Sequence, residues 1–199
     1  VGFADRLTTI LVTATVTSAA WIVAYGTVID VAPSTQPSDV VQATAGQNRL
    51  ATLDSGGLLI PVQGVSADKL SDTFTQARAG GARVHDAIDI MAPRGTPVIA
   101  AGAGTVERLF QSADGGNTIY LRSVDRRAIH YYAHLDRYAP GLRENQQMQR
   151  GEALGTVGST GNADEAAPHL HFAIKQIAAD GHWYDKGAAI NPYPLLTAQ

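Results

Sequence analysis

From about Ser55 onward the chain is a succession of short apolar runs cut apart by glycine, proline, aspartate and asparagine. The runs are shorter than an ordinary helix, so the apolar surface has to be buried by strands. Residues 97–100, 104–106, 118–121, 128–135, 153–157 and 169–177 read as strands, and residues 114–117, 125–127 and 180–181 as the turns between them. Connections this short favour antiparallel neighbours, and the expectation is a mainly β, antiparallel domain with few helices. Residues 67–76 are expected to supply one short helical turn.

The beginning of the chain is different. Residues 7–29, LTTILVTATVTSAAWIVAYGTVI, carry no charge. As a helix they would extend roughly 34 Å, against a hydrocarbon core of about 30 Å. Trp21 and Tyr25 lie toward the far end, where amphipathic rings suit a membrane interface. Arg6 precedes the stretch and Asp30 and Asp39 follow it, which orients a span with its N-terminal end inside and the rest of the chain outside the cytoplasm. Ala24-Tyr25-Gly26 also has the small-x-small form of a cleavage site, so a signal peptide and an anchor both remain open, beside a pair of β-branched strands. Pro33, Ser34, Pro37 and Ser38 mark residues 31–54 as a linker. The expected order is a membrane anchor or signal segment over residues 1–30, a linker over 31–54 and a folded domain over 55–199.

Composition narrows the chemistry. With no cysteine, disulfides, thiolate metal sites and thiol nucleophiles are excluded, and any metal falls to His, Asp or Glu. A net charge of -3 leaves no basic excess to follow a nucleic-acid backbone, so no nucleic-acid partner is expected.

Attention therefore turns to six histidines: His85, His130, His134, His169, His171 and His182. His169-Leu170-His171-Phe172-Ala173-Ile174 alternates strictly, so a strand there puts both imidazoles on one face and Leu170, Phe172 and Ile174 on the other. His85 and Asp89 are both competent zinc ligands. On a straight strand their Cα atoms would stand about 13 Å apart, so sharing one ion requires a bend, which small Ala87 permits. Alternation would also put His130, Tyr132 and His134 on one face of another strand. His182, beside Asp180-Gly181, reads as a solvent-exposed turn residue. Spacing alone leaves open which of His169 and His171 would hold a metal.

Taken together, several motifs form a recognisable order. Gly81-x-Arg83-x-His85-x-x-x-Asp89-Ile90-x-Ala92-Pro93-x-Gly95-Thr96-Pro97-Val98 is followed by Gly104-x-Val106 and Tyr132-x-His134-Leu135. Gly151-x-x-Leu154-Gly155, Gly158-Ser159-Thr160-Gly161 and Pro168-His169-Leu170-His171-Phe172 complete it. Over residues 61–192 the chain resembles the LytM/lysostaphin-like zinc metallopeptidases, peptidase family M23. The resemblance implies a β-rich fold, one Zn2+ per chain held by His85, Asp89 and His171, and catalytic histidines at His134 and His169. It implies hydrolysis of peptide bonds in peptidoglycan, with peptide stems as substrate and the bacterial cell envelope as location, residues 7–29 meeting the inner membrane if they are an anchor. The sequence departs from the family at Asp86-Ala87, where many members have a variable residue and then glycine; alanine there requires ordinary backbone angles.

Three protein ligands leave a fourth position for water, as in catalytic rather than structural zinc sites. A neutral His169 then serves as proton acceptor and donor, and His134 as hydrogen-bond donor to the oxyanion, the two roles being exchangeable. The helical HExxH scheme, with its glutamate base, is absent from the sequence. The expected function is a zinc metalloendopeptidase of peptidoglycan cross-links. The alternatives are a non-catalytic wall-binding or amidase-activating module of the same fold and a carboxypeptidase releasing terminal D-Ala.

Overall fold

The computed structural model describes residues 57–78, 80 and 83–198; the expected anchor or signal segment and the linker lie outside them. Eleven strands are described: β1 (Ala77–Arg78), β2 (Arg83–Val84), β3 (Ile88–Met91), β4 (Pro97–Ile99), β5 (Gly104–Ser112), β6 (Gly116–Ser123), β7 (Ala128–Tyr138), β8 (Gln147–Met148), β9 (Ala153–Val157), β10 (His169–Gln176) and β11 (Ala188–Ile190). A 3-10 turn covers Ala67–Lys69 and one short helix, α1, covers Pro192–Thr197. All six strand segments read from the sequence are present, and the turn at 67–69 falls inside the expected stretch.

β1 and β2 form a small hairpin, and the other nine strands make one antiparallel sheet. Its spine runs β11-β10-β7-β6-β5-β8. On its edge away from β7, β10 is shared: His169–Phe172 pair with β3 and Ile174–Gln176 with β11.

β7 changes partner along its length. Residues 128–133 pair with β10, and from Leu135 onward β7 pairs with β9 instead. His134 stands at the change of partner with φ of 60°, in the left-handed region that residues other than glycine seldom occupy. Opposite β6, Asn117 faces Leu135 while Ile119 faces Tyr132, so β7 carries one residue more than its neighbour there: a β-bulge.

Alternation builds the core. In β10 Leu170, Phe172 and Ile174 are buried and the odd-numbered residues are not. They pack with Ile88, Ile90, Ile119, Leu121, Tyr132, Leu154 and Leu196. Each such side chain stabilises the fold by roughly 1.5–3 kcal/mol relative to exposure. The Tyr132 hydroxyl, fully buried, accepts a hydrogen bond from the Ala101 amide at 2.9 Å, which satisfies its only polar group. His130 lies in this core, its ring centre 6.1 Å from that of Phe172. His182 is exposed as expected, in the segment 178–187, where its ring stacks on Tyr184.

Candidate metal centre

Two kinds of backbone bring the site together. His171 comes from the middle of β10, opposite Asp89 of β3. That register sets the imidazole beside the carboxylate with no further device. His85 precedes β3 on irregular backbone, and the chain bends at Ala87 before the strand begins at Ile88. Ala87 is fully buried, and it is absent from the positive-φ residues, so alanine in place of glycine brings no strain.

His85 is aimed from a distance. Its Nδ1–H donates to the Thr73 carbonyl at 2.9 Å, which turns Nε2 toward Asp89 and His171. The Thr73 hydroxyl also accepts from the Asp89 amide at 3.1 Å, so one threonine holds both ends of the bend. Thr73 is held in turn by its neighbour. The Asp72 carboxylate accepts from the Asn191 side-chain amide at 3.1 and 3.3 Å. Asn191 caps α1 through a bond from the Tyr193 amide to its Oδ1, at 2.9 Å.

Three atoms then converge: His85 Nε2, Asp89 Oδ1 and His171 Nδ1, each 3.1 Å from the other two. A tetrahedral zinc with bonds of about 2.0–2.1 Å has ligand–ligand edges of about 3.3–3.4 Å. The triangle therefore fits one face of such a polyhedron, and its N, N and O donors suit a borderline divalent ion. Burial alone would push the Asp89 carboxyl up, but hydrogen bonds from His171 and His85, with their charge, hold it well below the usual carboxylate range. The Asp89 carboxylate is thus ionised at neutral pH.

His134 and His169 stand beside the triangle with ring centres 5.0 Å apart, and His134 is 5.7 Å from His171. Each is oriented by a backbone carbonyl: His134 Nδ1–H donates to Thr160 and His169 Nδ1–H to Ala167, both at 2.8 Å. A carbonyl can only accept, so each neutral ring carries its proton on Nδ1 and keeps the Nε2 lone pair. Burial pulls the His134 imidazole below the ordinary histidine value, opposed in part by its bond to Thr160. His169 Nε2 is 3.8 Å from Asp89 Oδ1.

All five residues line one cleft of about 520 Å³. Asp114 and Gly115, from the tip of the β5–β6 hairpin, and residues 162–164 form its walls. In β7 the structure departs from plain alternation. Alternation grouped His134 with His130 and Tyr132, but those two are buried in the core, while Tyr131, Ala133 and His134 line the cleft. The extra residue of the bulge is what moves His134 to the other face. Tyr131 meets His171 edge-on at 6.0 Å. Thr73, Thr160 and Tyr131 received no role in the sequence reading. Thr73 acts through contacts 12 and 16 residues away, which leave no local pattern.

Comparison with known proteins agrees with this architecture. The profile of peptidase family M23 matches residues 83–192, more than half of the chain, and the chain belongs to that family. It is 34% identical over 132 residues to an L-Ala–D-Glu endopeptidase of Bacillus subtilis, covering 63% of this chain and 39% of that one. It is 33% identical over 108 residues to a peptidoglycan DD-endopeptidase of Vibrio cholerae, covering 52% and 24%. Among solved structures, the antimicrobial peptidase lysostaphin of Staphylococcus simulans aligns with a TM-score of 0.53 at 27% identity, covering 65% of this chain and 49% of that one. The chain spans less than half the length of each of these relatives.

Proposed function

We propose that this chain is a zinc metalloendopeptidase that hydrolyses peptide bonds in peptidoglycan cross-links. The observation that carries the reading is the 3.1 Å triangle of His85 Nε2, Asp89 Oδ1 and His171 Nδ1, with two further imidazoles on the same cleft. Three protein ligands are the complement of a catalytic rather than a structural zinc site. The curated relatives that act on wall peptides supply the substrate class.

His85, Asp89 and His171 would hold the ion, and zinc when bound supplies Lewis acidity toward the scissile carbonyl and an attacking water. The chain itself handles protons and charge. With both Nδ1 atoms bound to carbonyls, the neutral member of the pair His134/His169 accepts a proton at Nε2 and returns it to the leaving amine. The other member, when protonated, donates from Nε2 to the developing oxyanion. The carbonyls of Thr160 and Ala167 fix both rings before substrate arrives, so little reorganisation remains at the moment of reaction.

Residues 55–199 form the peptidase domain in this reading, carried beyond the cytoplasmic membrane by residues 1–30 through the linker 31–54. A reporter that works only after export, fused after Gln199, would be active; activity of a cytoplasmic reporter alone would reject this topology.

The deciding experiment is digestion of purified sacculi by the zinc-loaded chain, with the products identified by mass. Uncross-linked muropeptides with new amino termini and intact glycan strands are expected. A chelator stops their release and added zinc restores it. Release of D-Ala alone would assign a carboxypeptidase. Sacculus binding without cleavage, together with activation of a partner amidase, would assign the non-catalytic module.

A further inference from the structure

We infer that Asn117 is a positioning residue for His134: its side-chain amide holds the β-bulge that turns the imidazole into the cleft. The inference rests on the catalytic reading of His134 given above.

In a regular strand successive carbonyls point to opposite sides, so one side chain cannot reach two in a row. At the β7 bulge it does. Asn117 Nδ2 donates to the Leu135 carbonyl at 3.0 Å and to the Asp136 carbonyl at 3.1 Å. These are the two residues directly after His134, where β7 leaves its regular register with β6 and shifts again against β9. The partners also fix the amide's orientation: two carbonyl acceptors require the NH2 group, while Oδ1 accepts from Gln111 Nε2 at 2.7 Å.

The same residue is tied to the other side of the ring. The Asn117 backbone N–H donates to the Thr160 hydroxyl at 2.9 Å, and that hydroxyl donates to the Leu135 carbonyl at 2.8 Å. The Thr160 carbonyl accepts from His134 Nδ1–H. The His134 amide itself donates to the Gly115 carbonyl at 2.8 Å. Asn117, Thr160, His134 and Leu135 thus close a circuit: the side chains of Asn117 and Thr160 hold the carbonyls after the bulge, and the main-chain carbonyl of Thr160 holds the imidazole. Without the bulge, β7 slips by one residue relative to β6, and His134 follows His130 and Tyr132 to the buried face.

Aspartate at 117 would keep the shape and lose both N–H donors, setting one carboxylate oxygen against two carbonyls. The Leu135 carbonyl would keep only its bond from the Thr160 hydroxyl, and the Asp136 carbonyl would lose the bond from Asn117.

The test uses the zinc-loaded full chain and the variants Asn117→Ala, Asn117→Asp, Gln111→Ala and His134→Ala. For Asn117→Ala, kcat on wall peptides is expected to fall by roughly ten- to a hundredfold, with KM within about twofold and metal content unchanged. Asn117→Asp falls at least as far. In 15N-resolved spectra the His134 Nδ1–H signal, protected by Thr160 in the parent chain, is lost or exchanges rapidly in both. Gln111 is exposed and its removal leaves the fold alone; freeing the Asn117 amide at one end lowers kcat by roughly two- to tenfold. If His134→Ala is inactive while Asn117→Ala keeps its kcat and its Nδ1–H signal, the inference is wrong. Metal loss in step with activity in Asn117→Ala also overturns it, since the residue would then serve the whole site. If His134→Ala stays active, the catalytic reading of His134 falls, and the Nδ1–H signal alone decides whether Asn117 places the ring. Should Asn117→Ala fail to fold, an unchanged kcat in Gln111→Ala overturns the inference and a lowered one supports it.

Discussion

β10 and the bulge of β7 deliver imidazoles to the same cleft by opposite means. In β10 regular alternation does the work: Leu170, Phe172 and Ile174 go to the core, so His169 and His171 face the cleft. At the bulge, alternation is broken: His134 reaches the cleft through a left-handed backbone and a change of pairing partner. His85 belongs with the bulge, being aimed by Thr73 from outside the sheet. Regular structure places a side chain through its own packing, whereas irregular structure depends on hydrogen bonds from afar. Substitutions should therefore damage the two regions differently.

The largest effect tests the regular region directly. His171→Ala removes one corner of the donor triangle, and zinc affinity should fall by roughly a hundred- to a thousandfold, with activity lost. His169→Ala, two residues along the same strand, should keep one zinc per chain and lose turnover. Metal analysis of both proteins separates the roles, and the reverse pattern would show that the pair has been assigned backwards.

Leu170→Ala, between them, should cost about 2–5 kcal/mol of stability, because the fully buried site collapses only in part. Zinc stoichiometry in the surviving folded fraction should hold. Denaturant melts with metal analysis check this; a folded but zinc-free protein would mean that packing under β10 does more than support it.

Thr73→Val probes the irregular region. It removes the acceptor of the Asp89 amide but leaves the carbonyl that orients His85. Zinc affinity should drop by about ten- to a hundredfold, as for outer partners of other metal ligands. Competition with a chromogenic chelator measures it, and unchanged affinity would mean the bend holds without the threonine.

The smallest effect is expected at Asn191→Ala, which removes the cap of α1 and the contact to Asp72. The cap alone is worth about 1 kcal/mol. If the chain through Asp72 to Thr73 matters, zinc affinity falls along with the melting temperature; a lower melting temperature with unaltered affinity would confine Asn191 to capping.

The same contrast explains what could be read in advance. The β10 face and its two histidines were legible because a period of two lies within six consecutive residues. The short runs marked the other main strands for the same reason. The two-residue strands β1, β2 and β8 were not legible, since their pairing is decided by partners rather than by their own composition. Nor was the bulge: no glycine marks residue 134, and plain alternation led to the wrong face. The donors that hold it, Asn117 and Thr160, lie 18 or more residues from the carbonyls they reach, so the geometry exists only once the sheet has formed. The ligand set His85, Asp89 and His171 is what the family resemblance implies, and the fold brings one donor atom of each together.

The left-handed backbone at His134 carries a consequence for how such a chain changes over time. Glycine or asparagine would occupy that conformation with less strain than histidine, by something on the order of 1 kcal/mol. Selection for stability and selection for chemistry therefore pull against each other at this one position. A lineage that no longer uses the imidazole has an incentive to replace it, while the regular strand β10 offers no such release for His169. If His134 is catalytic as proposed, the residue at the bulge should be an early casualty wherever a chain of this fold loses activity.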